Sequence, residues 1–381
     1  MTDIQLIEVT DKATKDELLD KKIKETRSGL SADRLDMSFG EIISMYERNE
    51  IIINPNFQRL FRWDEEQQTR FIESLLLNIP IPPIFVAEIN EGENAGKWEL
   101  VDGLQRVSTV LSFFGELTAL PDKNNLILME GGLIEILEGY TFKSLSLKYQ
   151  LNIRRAVCRV EVIKWDSKID MRYELFKRIN SYGEPITEQE LRNCIFRPQS
   201  NRFNDFLKDL ADTPKFKELI SPTPKQIEQL YLQELVLRFF ALYEVAKSNT
   251  PAKEKINEVI SSYMTSYMKE VIKDELFDYN QSKVLFTQLV ELLVPIGKTV
   301  FKGTKNMGPF SPNIYDIVMI GVALNLSFYK TLSSDALAKI IANIKDDPEF
   351  TNLKGAGIAS NSKERVAKRI ELTKKFFTSS I

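Results

Sequence analysis

Lys97-Trp-Glu-Leu-Val-Asp102-Gly103-Leu-Gln105-Arg106-Val-Ser108-Thr109 reads as two kinds of secondary structure meeting at a glycine. Trp98 to Asp102 is a short apolar run of strand character. From Leu104 the apolar residues recur at Leu104, Val107 and Leu111, with Phe114 following, which is a helical period. A strand therefore hands over to a helix at Gly103. The first amides of such a helix lack intrahelical partners and carry partial positive charge, so an anion can bind there. Gly103 permits a close approach, and Arg106 on the first turn can add a bidentate contact to phosphate. Asp102, at the strand end, can hold Mg²⁺ or orient a water, and Gln105 can position that water. The same spacing also allows a plainer reading, in which Asp102 caps the helix and Arg106 is a surface residue.

Working outward, Ile84-Phe-Val-Ala-Glu-Ile89 pairs with the Trp98 strand as a hairpin. Upstream, Asp64-Glu-Glu-Gln67 has capping-box spacing and starts a helix from Glu65 to about Leu77, ended by Pro80, Pro82 and Pro83. The preceding loop, Asn54 to Trp63, interleaves aromatics with guanidiniums. Arg59 and Arg62 can bind phosphate, and Phe57, Phe61 or Trp63 can stack on a base or fill the core. The first fifty residues are polar, with a helix expected over Met37 to Tyr46 and a strand at Ile51 to Ile53. Ala156 to Ile163 is a strand with Cys158, Val160 and Val162 on its apolar face. A helix from Met171 to Ile179, a turn at Ser181 to Pro185 and a capping box at Thr187 to Glu190 follow. Beyond about Asn201 strand signals fade, and helical segments are expected near Pro224 to Lys247, Ala252 to Lys273, Ser282 to Phe301, Tyr315 to Thr331 and Lys363 to Phe377. This implies an N-terminal α/β domain over residues 1–200 and an all-helical domain over 201–381.

Composition narrows the chemistry. The 381 residues contain no histidine, which excludes Ser-His-Asp catalysis, histidine-ligated zinc and the imidazole base of HNH nucleases. Two cysteines, Cys158 and Cys194, are too few for a disulfide framework and point to a reducing compartment, the cytoplasm by default. A net charge of −3 offers no broad nucleic-acid track, so any such surface must be local. No export signal or membrane span is indicated. Gly303 to Gly308 lacks the Lys-Ser/Thr ending of a phosphate loop, and Glu161 precedes Lys164 by one residue too many for a PD-(D/E)xK nuclease.

Four blocks occur in a telling order: Gln58-Arg59 with Trp63; Leu75 to Pro83; Val101-Asp-Gly-Leu-Gln-Arg106 with Ser108-Thr109; and Leu175-Phe-Lys-Arg-Ile-Asn180 with Gly183 and Glu190-Leu-Arg192. This pattern resembles the N-terminal domain family of the GmrSD restriction endonucleases, a branch of the ParB/sulfiredoxin-like fold. The resemblance implies an α/β domain that binds, and often hydrolyses, nucleoside triphosphates in bacterial defence against phage or modified DNA. It adds Gln58, Ser108, Thr109, Asn180 and Arg192 to Arg59, Arg62 and Gly103 as nucleotide contacts, beside Asp102, Gln105 and Arg106 as the catalytic set. Asn180 also reads as a helix C-cap. The family signature is Asp-Gly-Gln-Gln-Arg, and here Leu104 stands at the first Gln. Many relatives carry a C-terminal HNH module, which a histidine-free sequence cannot contain, so a separate effector nuclease is implied as a partner. Two alternatives stay open: a non-hydrolysing DNA- or protein-binding module, and a histidine-free metal-dependent nuclease. In the last helix Lys363, Arg365, Lys368, Arg369, Lys374 and Lys375 flank an apolar stripe of Val366, Ile370, Thr373 and Phe377, a face for DNA or partner contact or simply for solvent.

Overall fold

The computed structural model of the chain describes residues 15–24, 30–53, 61, 63–89, 94–165, 178, 187–196, 200–256, 258–303, 308–351 and 361–378. The chain forms two compact units, Met1–Pro185 and Ile186–Ile381. The division lies ahead of residue 200 because the helix Glu188–Phe196 packs against helices of the second unit.

The first unit is built on a five-stranded mixed sheet in the order β1-β5-β3-β4-β2. Its strands are β1 (Leu30–Ser38), β2 (Ile51–Ile52), β3 (Ile84–Glu88), β4 (Trp98–Asp102) and β5 (Val157–Trp165). β3 and β4 form the expected antiparallel hairpin, while β3 runs parallel to β5 and β2 parallel to β4. Helix α1 spans residues 15–24, followed by α2 (Phe39–Glu47), α3 (Glu65–Leu76), α4 (Leu104–Phe114) and α5 (Leu147–Arg155). Alternation in β5 holds as far as Val162: Cys158, Val160 and Val162 are buried with Ile84, Val86 and Leu100, whereas Val157 and Arg159 face solvent; Ile163, expected on the polar face, is buried as well. Phe39, Ile72, Leu75, Val107, Leu111 and Ile153 bring α2 to α5 into the same core.

β1 departs from the expected polar lead-in. It pairs with β5 over nine residues, and opposite charges face each other across the pair: Arg34 Nε to Glu161 at 3.1 Å, Arg159 Nε to Asp36 at 3.1 Å and Lys164 Nζ to Asp33 at 2.6 Å. A charged strand at a sheet edge also resists pairing with other chains. A second feature invisible locally is Glu73. Its carboxylate is buried and accepts the N–H groups of Gly132, Leu133 and Ile134 at 3.2, 2.7 and 2.6 Å, clamping the 129–134 loop onto α3. A Cβ on Gly131 would stand 2.5 Å from the Ile134 carbonyl oxygen, so the loop closes only around glycine.

The second unit is helical among its described residues. The helices used below are α6 (Glu188–Phe196), α7 (Tyr231–Lys247), α8 (Ile260–Lys273), α9 (Pro312–Leu324) and α10 (Lys363–Thr378). Helices Asn201–Ala211, Pro214–Ile220 and Ser334–Asp346 add to the expected set. The single expected helix from Pro224 to Lys247 is two, broken where Leu230 adopts φ +55°. α9 and α10 approach closely because Gly321 has no Cβ: one there would sit 2.3 Å from the Phe377 ring. The expected Met171 to Ile179 helix, apart from Arg178, and the Ser181 to Pro185 turn lie outside the described residues.

Candidate functional site: a strand-to-helix junction at Asp102 and Gly103

β4 ends at Asp102 and α4 begins at Leu104, with Gly103 between them at φ +96°, ψ +16°. An L side chain is strained in that left-handed conformation. A Cβ at Gly103 would also fall 2.5 Å from Ile84 Cγ2, so β3 packs directly on the turn. Gly103→Ala is therefore expected to destabilise the protein by about 2–4 kcal/mol, combining positive-φ strain with overpacking. Denaturant unfolding checks this, and a loss below 1 kcal/mol would contradict it.

Asp102 is not the helix cap. Gly103 occupies the N-cap position and supplies no side-chain cap to α4. The Asp102 carboxylate instead accepts a 2.7 Å hydrogen bond from Arg106 Nη2, which also reaches the Pro83 carbonyl oxygen at 3.3 Å. The Arg106 side chain is 13% exposed and that of Asp102 is 29% exposed, so neither is an ordinary surface residue. The register explains the convergence: Phe85 stands opposite Asp102, placing Pro83 and the start of β3 beside the end of β4. Arg106 Nε is buried with no hydrogen-bond partner among the described residues. Beneath lies Cys158, whose thiol burial pushes up, with the Ile84 backbone and Arg106 opposing.

Gln105 does something its spacing did not announce. Its Oε1 accepts the Trp63 N–H at 3.1 Å, while Gln68 Nε2 donates to the Trp63 carbonyl oxygen at 2.8 Å. Two glutamines from two helices thus hold Trp63 at the junction, and its ring packs edge-on to Phe71, 5.6 Å between centroids. Phe61 and Trp63 both pack against the core, in line with the core-filling reading of these aromatics. Gln58, Arg59 and Arg62 lie outside the described residues. Gln68 escaped attention in the sequence, yet it sits on the stripe of Phe71, Ile72 and Leu75, and a polar residue in that register signals a buried contact.

Other expected contacts stand elsewhere. Ser108 and Thr109 are buried at 2% and 0% exposure, which corrects their assignment as phosphate contacts: the second turn of α4 points them into the core. Asn180 lies outside the described residues. Arg192, expected in a ligand pocket, is buried in the second unit with its donors committed to Thr265 Oγ1 at 3.0 Å, Gln189 Oε1 at 3.1 Å and Ser261 Oγ at 2.8 Å, an anchor of α6 on α8. Its burial lowers its pKa, opposed by Glu234 and Glu188. The capping box that opens α6 is present, with Thr187 N donating to Glu190 at 2.7 Å. Arg369 is also corrected. It is fully buried and paired with Asp316 at 3.0 Å rather than available to DNA. On the same helix Lys374 donates to the Ser248 carbonyl oxygen at 3.0 Å and Lys375 pairs with Glu349 at 3.1 Å, while Lys363 and Lys368 are exposed and Arg365 partly so.

Among the described residues no group of three or more carboxylate or thiol side chains gathers as a metal site. Asp102, a single carboxylate at the end of β4, could hold Mg²⁺ only if other oxygens supplied most of the coordination. No helix among the described residues is long and apolar enough to cross a membrane.

A mixed sheet whose fourth strand turns through a glycine into an Arg-bearing helix start defines the α/β unit. Residues 39–197 match the family model of the GmrSD restriction endonuclease N-terminal domain, which supports that family for this part of the chain. The match ties the chain to restriction-type defence systems. No curated protein and no solved structure matches the chain.

Proposed function

We propose that the first unit binds a nucleoside triphosphate with its phosphates at the Gly103 turn, and hydrolyses it, as the sensing subunit of a restriction-type defence system. The observation that carries this reading is the α4 N-terminus, which has no side-chain cap from Gly103 and stands beside a sheltered guanidinium whose Nε has no partner among the described residues. Arg106 would hold a phosphate oxygen, and Arg59 and Arg62 are the cations proposed from the preceding loop. Mg²⁺, when bound, would neutralise charge developing on the phosphate oxygens. On the protein's side, Asp102 holds Arg106 in place and Gln105 holds the Trp63 backbone beside the junction. DNA and a separate effector nuclease are the partners proposed downstream.

A second reading, a nucleotide-binding module without turnover, is favoured by one contact: the Gln105 Oε1 that would align a water accepts the Trp63 N–H. Phosphate release from ATP, GTP, CTP and UTP with Mg²⁺ separates the two. Release by the parent that Asp102→Asn abolishes, with its unfolding transition retained, supports hydrolysis. Binding without release from any of the four moves the assignment to the module.

A further inference from the structure

The Leu126–Tyr140 excursion of the first unit is firmly held yet displays its large apolar side chains to solvent. Leu126, Leu128 and Leu137 point into the core, Leu128 N–H bonds the Tyr140 carbonyl oxygen at 2.8 Å, and Gly139 N–H bonds that of Leu128 at 2.8 Å. The Glu73 clamp fixes the turn between them. Facing outward are Ile127, Met129, Leu133 and Ile136, the last two 72% and 77% exposed. The exposed charges of this stretch, Glu130, Glu135 and Glu138, are all acidic. A segment pinned this way cannot fold its apolar side chains inward, and exposed apolar surface of this extent marks an interaction site.

Helix α1 is its chemical complement. All ten of its residues are exposed, and an isolated helix this short is marginal in water. At 100° per residue, Leu18, Leu19 and Ile23 fall within an arc of about 140° that also holds Lys15 and Lys22, with Asp16 just past its edge and Asp20, Lys24, Glu17 and Lys21 around the rest. The apolar face of α1 is thus basic and the apolar face of the excursion acidic.

The chain geometry favours docking between copies. Ile23 precedes Leu30 by seven residues, about 25 Å of fully extended chain. Leu30 pairs with Trp165 at one end of β1, whereas α3, which carries the clamp, leads into β3 at Ile84, aligned through Val160 with Leu35. Docking within one copy would have to run back along β1, across two strands and out to the helix layer, which consumes that whole reach. A second copy faces no such limit, and a two-fold arrangement uses both faces twice. We propose that α1 of one copy seats on the Ile127–Tyr140 surface of a second copy, forming a symmetric dimer.

Light scattering on the full chain at tens of micromolar should give twice the 43.9 kDa chain mass. Ile136→Ser and Leu19→Ser, both at exposed positions, should each weaken association ten-fold or more while leaving thermal unfolding of the chain unchanged. A Leu19→Cys/Ile136→Cys double variant should form an intermolecular disulfide under mild oxidation. A monomeric parent, a dimer indifferent to both serine variants, or a crosslink formed only within one chain would each overturn the proposal.

Discussion

Asp316→Ala is expected to destabilise the helical unit by about 3–5 kcal/mol, because it strands two buried cations. Arg238 Nε and Nη2 donate to the two Asp316 oxygens at 2.6 and 2.7 Å, and Arg369 Nη2 reaches Oδ2 at 3.0 Å. The three side chains come from α7, α9 and α10, and none exceeds 5% exposure. Burial draws the Arg369 pKa down to about 10 against the pull of Asp316. For Arg238 burial acts in the same direction, but its bidentate pairing with Asp316 holds it above the ordinary value. One carboxylate thus serves two buried guanidiniums, leaving a net charge of one, and its loss removes the ion pair both make with it. Arg369→Leu should cost far less, since it leaves the Arg238–Asp316 pair whole and removes the excess charge. Denaturant unfolding of the two variants decides the matter: equal losses, or less than 1 kcal/mol for Asp316→Ala, would contradict this account of the triad.

The triad also marks where sequence reading stops. Arg369 sits three residues after Val366 and four before Thr373, on the buried stripe, but a guanidinium was assigned outward because its partner lies on another helix. Glu73 gives no local signal for the same reason, its three donors lying in a distant loop. β1 carries no alternation of its own, and its match to β5 lies in a ladder and in charges more than a hundred residues away. What was legible was local. The change of period at Gly103, the capping boxes at Asp64 and Thr187 and the alternation in β5 all rest on interactions within a few residues. The division at 185 was not local: α6 continues the family pattern through Arg192 yet packs with the second unit.

Arg106→Ala is expected to have the largest effect on ligand binding. Arg106 holds a charge over the uncapped end of α4, and the Asp102 and Pro83 contacts orient it there. Losing a charge-assisted phosphate contact costs about 1.5–3 kcal/mol, roughly ten- to hundred-fold in affinity. Removing it leaves Asp102 with partial access to solvent, so the fold should survive.

Titration calorimetry of the parent and Arg106→Ala proteins with ATP, GTP, CTP and UTP, with Mg²⁺ present, tests the central claim most directly. At least one triphosphate should bind the parent and bind the variant ten- to hundred-fold more weakly, with a cooperative unfolding transition in both. Equal binding by the two proteins, or no binding of any triphosphate to the parent, would contradict the assignment of the Gly103 turn as a nucleotide site.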